Sequence, residues 1–334
     1  MKKLTSIILT AALLAAMLTV FAVPASAEAP DYFYLKNTGE SDVTVSFTNP
    51  VSNLKYTTDT AAADSWADFD CSGYTLAAGE TVYFKRNDNI KLYSTIKCSG
   101  DNADIAAGGD IRFLLNEGGN VEQYPDSAFS GFFTGCGALT DISHLTLGGS
   151  DTQLNNYCFE SMFSGCTGLT TIPEDLLPAT SLKPNCYSSM FSSCSNLKNS
   201  PYLPAVTLTT NCYQNMFNGC CSLSSVSVAF TAWPPIRFST PTTGFLPSEL
   251  NAGVKLKIYC PQSLVIPMND MGKLTSHTVP SGIIANVEWC TLNKVGSTLS
   301  EGNIWIIIAV AAAVIIAGAA ALVIGRKKKK PAQE

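Results

Sequence analysis

Apolar positions along this 334-residue chain change their spacing partway through. From residue 31 to about 118 they alternate with polar ones. In DVTVSF, Val43, Val45 and Phe47 share one face, and TVYF repeats the alternation at Val82 and Phe84. IRFLL adds another apolar run, and NTGESD, LAAGE and AAGGD separate the runs with turn residues. Alternation of period two between such clusters predicts half-buried strands, roughly six to eight here, in an antiparallel sandwich or small barrel.

From about Ala128 the spacing becomes that of a repeat. AFSGFFTGCGAL, CFESMFSGCTGL, CYSSMFSSCSNL and CYQNMFNGCCSL align, starting at Ala128, Cys158, Cys186 and Cys212. Their second cysteines, Cys136, Cys166, Cys194 and Cys220, lie 30, 28 and 26 residues apart. Leu154, Leu182 and Leu208 precede the later blocks at a constant offset, and LPAT at Leu177 recurs as LPAV at Leu203. A period of this length signals stacked units that bury a common core. Within one block, Tyr187, Met190, Phe191 and Cys194 fall at i, i+3, i+4 and i+7, the pattern of one helix face. Asn185 is placed as an N-cap, so each unit is expected to carry a short helix. An extended stretch from Leu197 to Leu208 is expected to follow it. Residues 231–292, rich in proline, glycine and threonine, are read as a cap over the last unit, with VKLKIYCP and IIANVEWCTL as strands.

The two ends are apolar. Lys2 and Lys3, the run from Ile7 to Val23, and Ala25-Ser26-Ala27 form the pattern of a secretory signal peptide, residues 1–27. Ile304 to Ile324 carries no charge and is followed by Arg326 and Lys327 to Lys330. Such a run spans about 30 Å as a helix, one hydrocarbon core, with its basic end in the cytoplasm. The domain layout expected is therefore signal 1–27, β-sandwich 28–120, repeats 121–230, cap 231–292, linker 293–303, transmembrane helix 304–325 and basic tail 326–334. The location expected is the cell membrane, single-pass, with the N-terminal ectodomain outside.

Charge and motifs narrow the chemistry. The formal net charge is −5, and seven of the 21 basic residues sit in the two ends. Between them the chain is acidic, which argues against nucleic acid as a partner. From Ser99 to Leu182 the only lysine or arginine is Arg112. No nucleophile elbow, phosphate loop or His-Glu-x-x-His motif occurs, so an enzyme is not expected. Glu174 and Asp175 are adjacent loop carboxylates without an evident partner. Asp101, Asp104 and Asp110 lack a recognised calcium spacing. Cysteines eight apart, with only His144 and His277 in the chain, do not fit structural zinc. No cofactor or metal is expected. The repeat cysteines are read as buried thiols. Cys71 with Cys98 and Cys260 with Cys290 are the better candidates for bridges. The aromatic rows Phe159, Tyr187, Tyr213 and Phe163, Phe191, Phe217 could be a glycan-stacking platform, but core is the preferred reading. A binding surface is then sought at variable positions such as Glu160, Ser188 and Gln214.

The blocks CYSSMFSSCSNL and CYQNMFNGCCSL with LPAVTL between them resemble the BspA-like leucine-rich repeats of bacterial surface proteins. LKYTTD, Trp66 and LAAGETVYF resemble the strand domain that precedes such repeats, and PSGIIANVEW resembles a common ending. Ala128 in place of cysteine, and Gly148-Gly149 in place of Leu-Pro-Ala, depart from the pattern. The fold class so implied is α+β: an N-terminal antiparallel β-sandwich, a short leucine-rich-repeat-type solenoid of about four coils, then a single transmembrane helix. The resemblance implies a membrane-anchored extracytoplasmic binding or adhesion protein, presenting its repeats to protein or glycan ligands. A non-adhesive structural or scaffolding protein of the cell envelope is the alternative. No catalytic residues carry over.

Overall fold

A computed structural model of the chain describes residues 31–61, 65–88, 91–92, 94–232, 242–264 and 284–291. The alternating region forms β1 (Phe33–Asn37), β2 (Val43–Phe47), β3 (Lys55–Thr57), β4 (Ala67–Asp68), β5 (Tyr74–Leu76), β6 (Thr81–Lys85), β7 (Ile96–Ser99) and β8 (Ile105–Asp110). One antiparallel sheet runs β5-β2-β7. A larger one runs β4-β3-β6-β1-β8, and β9 (Leu139–Thr146), from the first repeat, joins it parallel to β8. The inward positions follow the alternation: Phe33 and Leu35, Val43 and Val45, Val82 and Phe84 are all fully buried. Phe47 of the smaller sheet meets Phe84 of the larger at 5.9 Å, and Phe33 meets Phe132 of the first repeat at 5.9 Å. The strands and the repeats therefore share one hydrophobic core.

The repeat blocks overturn the α+β expectation. Among the described residues every helix is a 3-10 turn of three or four residues: Ile111–Leu114, Gln262–Leu264 and Ile284–Asn286. Among the described residues the architecture is strands and turns, in one mixed, one antiparallel and one parallel sheet, rather than a helix-bearing solenoid. The physical reason lies in the backbone. Ser127, Gly131 and Gly135; Tyr157, Ser161 and Gly165; Asn185, Ser189 and Ser193; and Asn211, Asn215 and Gly219 all have φ between 52 and 76. Every fourth residue of each block is thus left-handed, a conformation that no right-handed helix contains. Asn185, expected as an N-cap, is the first such residue of its block. Asparagine, serine and glycine recur there because they are short or lack a Cβ.

These turns hydrogen-bond in two directions. Met162 N–H donates to the Phe159 carbonyl at 3.3 Å, and Ser164 and Cys166 close the next two turns onto Ser161 and Phe163. The residues between them donate to the following block instead: Phe159 to Cys186, Ser161 to Ser188, Phe163 to Met190 and Gly165 to Ser192, at 2.7–3.0 Å. The neighbouring block thus satisfies donors that a helix would have satisfied internally. Each block points pairs of side chains inward, Cys186 with Tyr187 and Met190 with Phe191, and all four are buried. Phe133, Phe163, Phe191 and Phe217 stack at 5.4, 5.5 and 5.9 Å, within 9° of parallel.

This geometry makes Ser189 diagnostic. With φ 55 it belongs to the left-handed set, and Gly131 holds the same place in the first block. Ser189→Gly is expected to be neutral or slightly stabilising. Ser189→Val is expected to cost about 2 kcal/mol, because a β-branched residue resists that conformation. A helix would give the opposite order, since glycine is the poorer helix former. Urea midpoints of the two variants decide between them.

The connections after the blocks build a third, all-parallel sheet: β10 (Asn199–Leu203), β11 (Ser225–Val228), β12 (Leu256–Cys260) and β13 (Val287–Thr291). The described part of the expected cap thus continues the sheet. Its Phe245 closes the aromatic stack, 5.4 Å from Phe217 and 6.1 Å from Tyr213. The expectation of a single-pass membrane protein is also corrected. Among the described residues no helix is long and apolar enough to cross a membrane. The signal segment 1–27 and the run 304–325 lie outside the described residues.

Candidate functional site

The sequence pointed to the cysteines first. Cys166, Cys194 and Cys220 are fully buried, and each thiol donates to the carbonyl of the phenylalanine one block earlier. The acceptors are Phe133, Phe163 and Phe191, at 3.2, 3.1 and 3.0 Å. Burial pushes Cys158 and Cys194 up to about 12 and Cys212 and Cys260 up to about 11. Such thiols are inert fasteners rather than nucleophiles.

Neither expected bridge is formed. All twelve cysteines are free thiols. Cys71 accepts from the Val51 N–H at 3.3 Å, while Cys98 faces Cys136. Cys260 and Cys290 sit on adjacent strands but one register step apart, Cys290 lying opposite Tyr259.

Other singled-out residues also separate. Asp110 chelates Arg112, with Arg112 Nη2 donating at 2.6 Å and Nε at 2.9 Å to Oδ2. Asp104 accepts from the hydroxyls of Thr38 and Thr140. Among the described residues no group of three or more histidine, cysteine or carboxylate side chains could hold a metal ion. Both aromatic rows are buried, so neither offers a stacking platform. Of the variable positions, Ser188 is itself buried, and Glu160 is half-buried, accepting from Ser130 Oγ at 3.4 Å with its carboxyl raised by burial.

The structure instead gathers polar side chains on the connections before the blocks. A cleft of about 620 Å³ is lined by Arg112, Asn120, Val121, Glu122, Gln123, Asp151 and Thr152. A second, of about 270 Å³, is lined by residues 150–154, 179–181 and Lys183. The two share Asp151 and Thr152, forming one groove across three successive connections. Backbone pairing fixes the base where Gln123 and Gln153 meet: Gln153 N–H donates to Glu122 at 2.7 Å and Tyr124 N–H to Gln153 at 3.0 Å.

Thr152 is the pivot. Its side chain is buried, and its Oγ1 accepts from Gly149 N–H at 3.3 Å and from Arg112 Nη1 at 3.4 Å. Gly148, at φ +78, lets the chain close here; a Cβ on it would lie 2.9 Å from both Thr152 Oγ1 and the Tyr124 hydroxyl. The Gly148-Gly149 departure from the repeat pattern therefore shapes the groove. Among the described residues the buried Tyr124 hydroxyl has no hydrogen-bond partner. The pattern reading missed Tyr124, Gln123, Asp151 and Thr152, because they lie outside the blocks that align. Only the Gly-Gly pair and the isolated Arg112 marked the place.

The groove offers carboxylates (Glu122, Asp151), amides (Asn120, Gln123, Gln153), hydroxyls (Ser150, Thr152, Thr180, Ser181) and two cations, Arg112 already paired to Asp110. It can form many hydrogen bonds with a polar chain. In comparison with known proteins, the chain matches no family model, no curated protein and no solved structure.

Proposed function

We propose that this chain is a non-catalytic binding module of the adhesion type, taking a hydroxyl-rich polymer, a glycan chain, along the groove from Arg112 to Lys183. The observation that carries this reading is the sharing of Asp151 and Thr152 by two clefts, which makes an elongated polar channel rather than a closed pocket. Carboxylates and amides side by side suit neighbouring sugar hydroxyls, each of which both donates and accepts. The likeness of the repeat blocks to those of bacterial surface proteins supports a binding role.

The test is a glycan array followed by titration calorimetry on the purified chain. Asp151→Ala and Gln123→Ala should each weaken binding of the selected glycan roughly tenfold or more, as loss of a charge-assisted or bidentate hydrogen bond does. Melting temperatures should stay unchanged. Absence of any glycan binding, or binding indifferent to both substitutions, would reject the groove. Self-association without ligand binding would favour the scaffolding role.

A further inference from the structure

We infer that Cys98 and Cys136 form an oxidation-dependent disulfide that fastens strand β7 to the first repeat block. The Cys98 and Cys136 side chains are direct neighbours across β7 and the first block. The flanking backbone holds them there. Ile96 N–H donates to the Phe132 carbonyl at 2.8 Å, and Lys97 Nζ to the Thr134 carbonyl at 3.2 Å. On a strand, residues two apart share a face, so Ile96 and Cys98 both address the block. A bridge requires the two sulfurs to come to about 2 Å of each other, with Cα atoms within roughly 7 Å.

The other thiols are placed differently. Cys166, Cys194 and Cys220 are fully buried and donate to carbonyls, while Cys158, Cys186 and Cys212 are fully buried in the second column. Cys98 is partly exposed, so a reagent can reach this pair from outside. The electrostatics support the same pair. The Cys98 thiol donates to Cys136 and, against the effect of burial, holds it below the usual thiol range, aided by the N–H groups of Leu139 and Cys98. The same contact raises Cys98.

The oxidant is a small or protein disulfide. One sulfur of the pair attacks it as thiolate, forming a mixed disulfide and releasing one thiol. The second sulfur then attacks the mixed disulfide at the protein sulfur and releases the second thiol. Two protons and two electrons pass from the pair to the oxidant, and one S–S bond replaces another. The product closes a loop from residue 98 to residue 136 and ties the antiparallel region to the turns.

The experiment uses the full chain, reduced, desalted and equilibrated in glutathione buffers of increasing glutathione disulfide content. Thiols are trapped with an alkylating agent and bridges mapped by peptide mass spectrometry. The expected result is a Cys98–Cys136 bridge as the first and dominant product, with the six fully buried repeat thiols alkylated only after denaturation. Its formation should raise the melting temperature by roughly 5–10 °C. Cys98→Ser should abolish both the bridge and the shift, and Cys136→Ser should repeat the result. Mapping on the unsubstituted chain reports the pairing even where a variant folds poorly. The inference is overturned if Cys98 and Cys136 stay reduced under conditions that oxidise a control dithiol. It is equally overturned if they pair with Cys71 or Cys166, or if Cys98 ends as a stable glutathione adduct.

Discussion

Phe191→Ala is expected to destabilise the chain by about 4 kcal/mol, at the upper end for a single core substitution. The ring is fully buried and lies between two others, Phe163 at 5.5 Å and Phe217 at 5.9 Å, nearly parallel to both. Truncation removes its transfer free energy and opens a cavity whose walls are rings fixed by the turns. Those walls cannot collapse, because Phe163 N–H is bonded to Met190, and Phe191 N–H to Met216, at 2.9 and 3.1 Å. Lys198→Ala is the control: the side chain is exposed, and the change should stay within about 0.5 kcal/mol. Guanidinium unfolding followed by circular dichroism measures both. A loss below about 1 kcal/mol for Phe191→Ala would mean that the stack contributes little to the core.

Asp88→Ala is expected to cost about 3 kcal/mol at neutral pH, for an electrostatic reason. Arg86 is buried, its side chain only 2% exposed, and its Nη2 meets Asp88 Oδ2 at 2.9 Å. Its Nε donates at 3.0 Å to both Asp88 Oδ2 and the Ser52 carbonyl. Asp88 also accepts from Ser52 Oγ and Asn53 Nδ2, each at 2.8 Å. Removing the carboxylate takes away a charged partner of a buried cation. Lys55–Asp68 is the contrast, with side chains 42% and 85% exposed; Asp68→Ala should change stability by less than about 1 kcal/mol.

The Asp88 pair also sets a pH dependence. Burial raises the Asp88 carboxyl, but the hydrogen bonds of Asn53 and Ser52 and the Arg86 charge outweigh it, leaving the group below its ordinary value. A lowered folded value means that the stabilisation is complete above the unfolded value, about 4, and is lost as pH falls through the folded one. The gap between the unsubstituted chain and Asp88→Ala should therefore be widest at pH 7 and shrink below about pH 4. Urea midpoints at both pH values test this, and a gap independent of pH would show that the carboxylate charge is not what stabilises Arg86.

Much of the core was legible without coordinates. Alternation placed Val43, Val45, Val82 and Phe84 inside, and the repeat alignment placed Phe163, Phe191 and Phe217 in one column. The groove was not legible, because Gln123, Asp151 and Thr152 come from connections whose lengths differ between repeats. Neither was the partner of Cys98. Cys71 was the candidate, yet strand β7 turns one face to the first block, and Cys136 is what it meets there.

The clearest division falls within the repeat block itself. The order of residues determined which side chains are buried and the register in which blocks stack, since burial follows from apolar identity and stacking from the repeat. It did not determine the backbone. Tyr187, Met190, Phe191 and Cys194 fit a helix face, but paired inward residues recurring every four positions give the same marks. Asn185, Ser189, Ser193 and their counterparts carried the local signal for turns, being poor helix formers that favour or tolerate φ above zero. Only the tertiary structure decided the outcome. A turn-only block leaves half of its N–H groups unsatisfied, and the next block supplies their carbonyl acceptors.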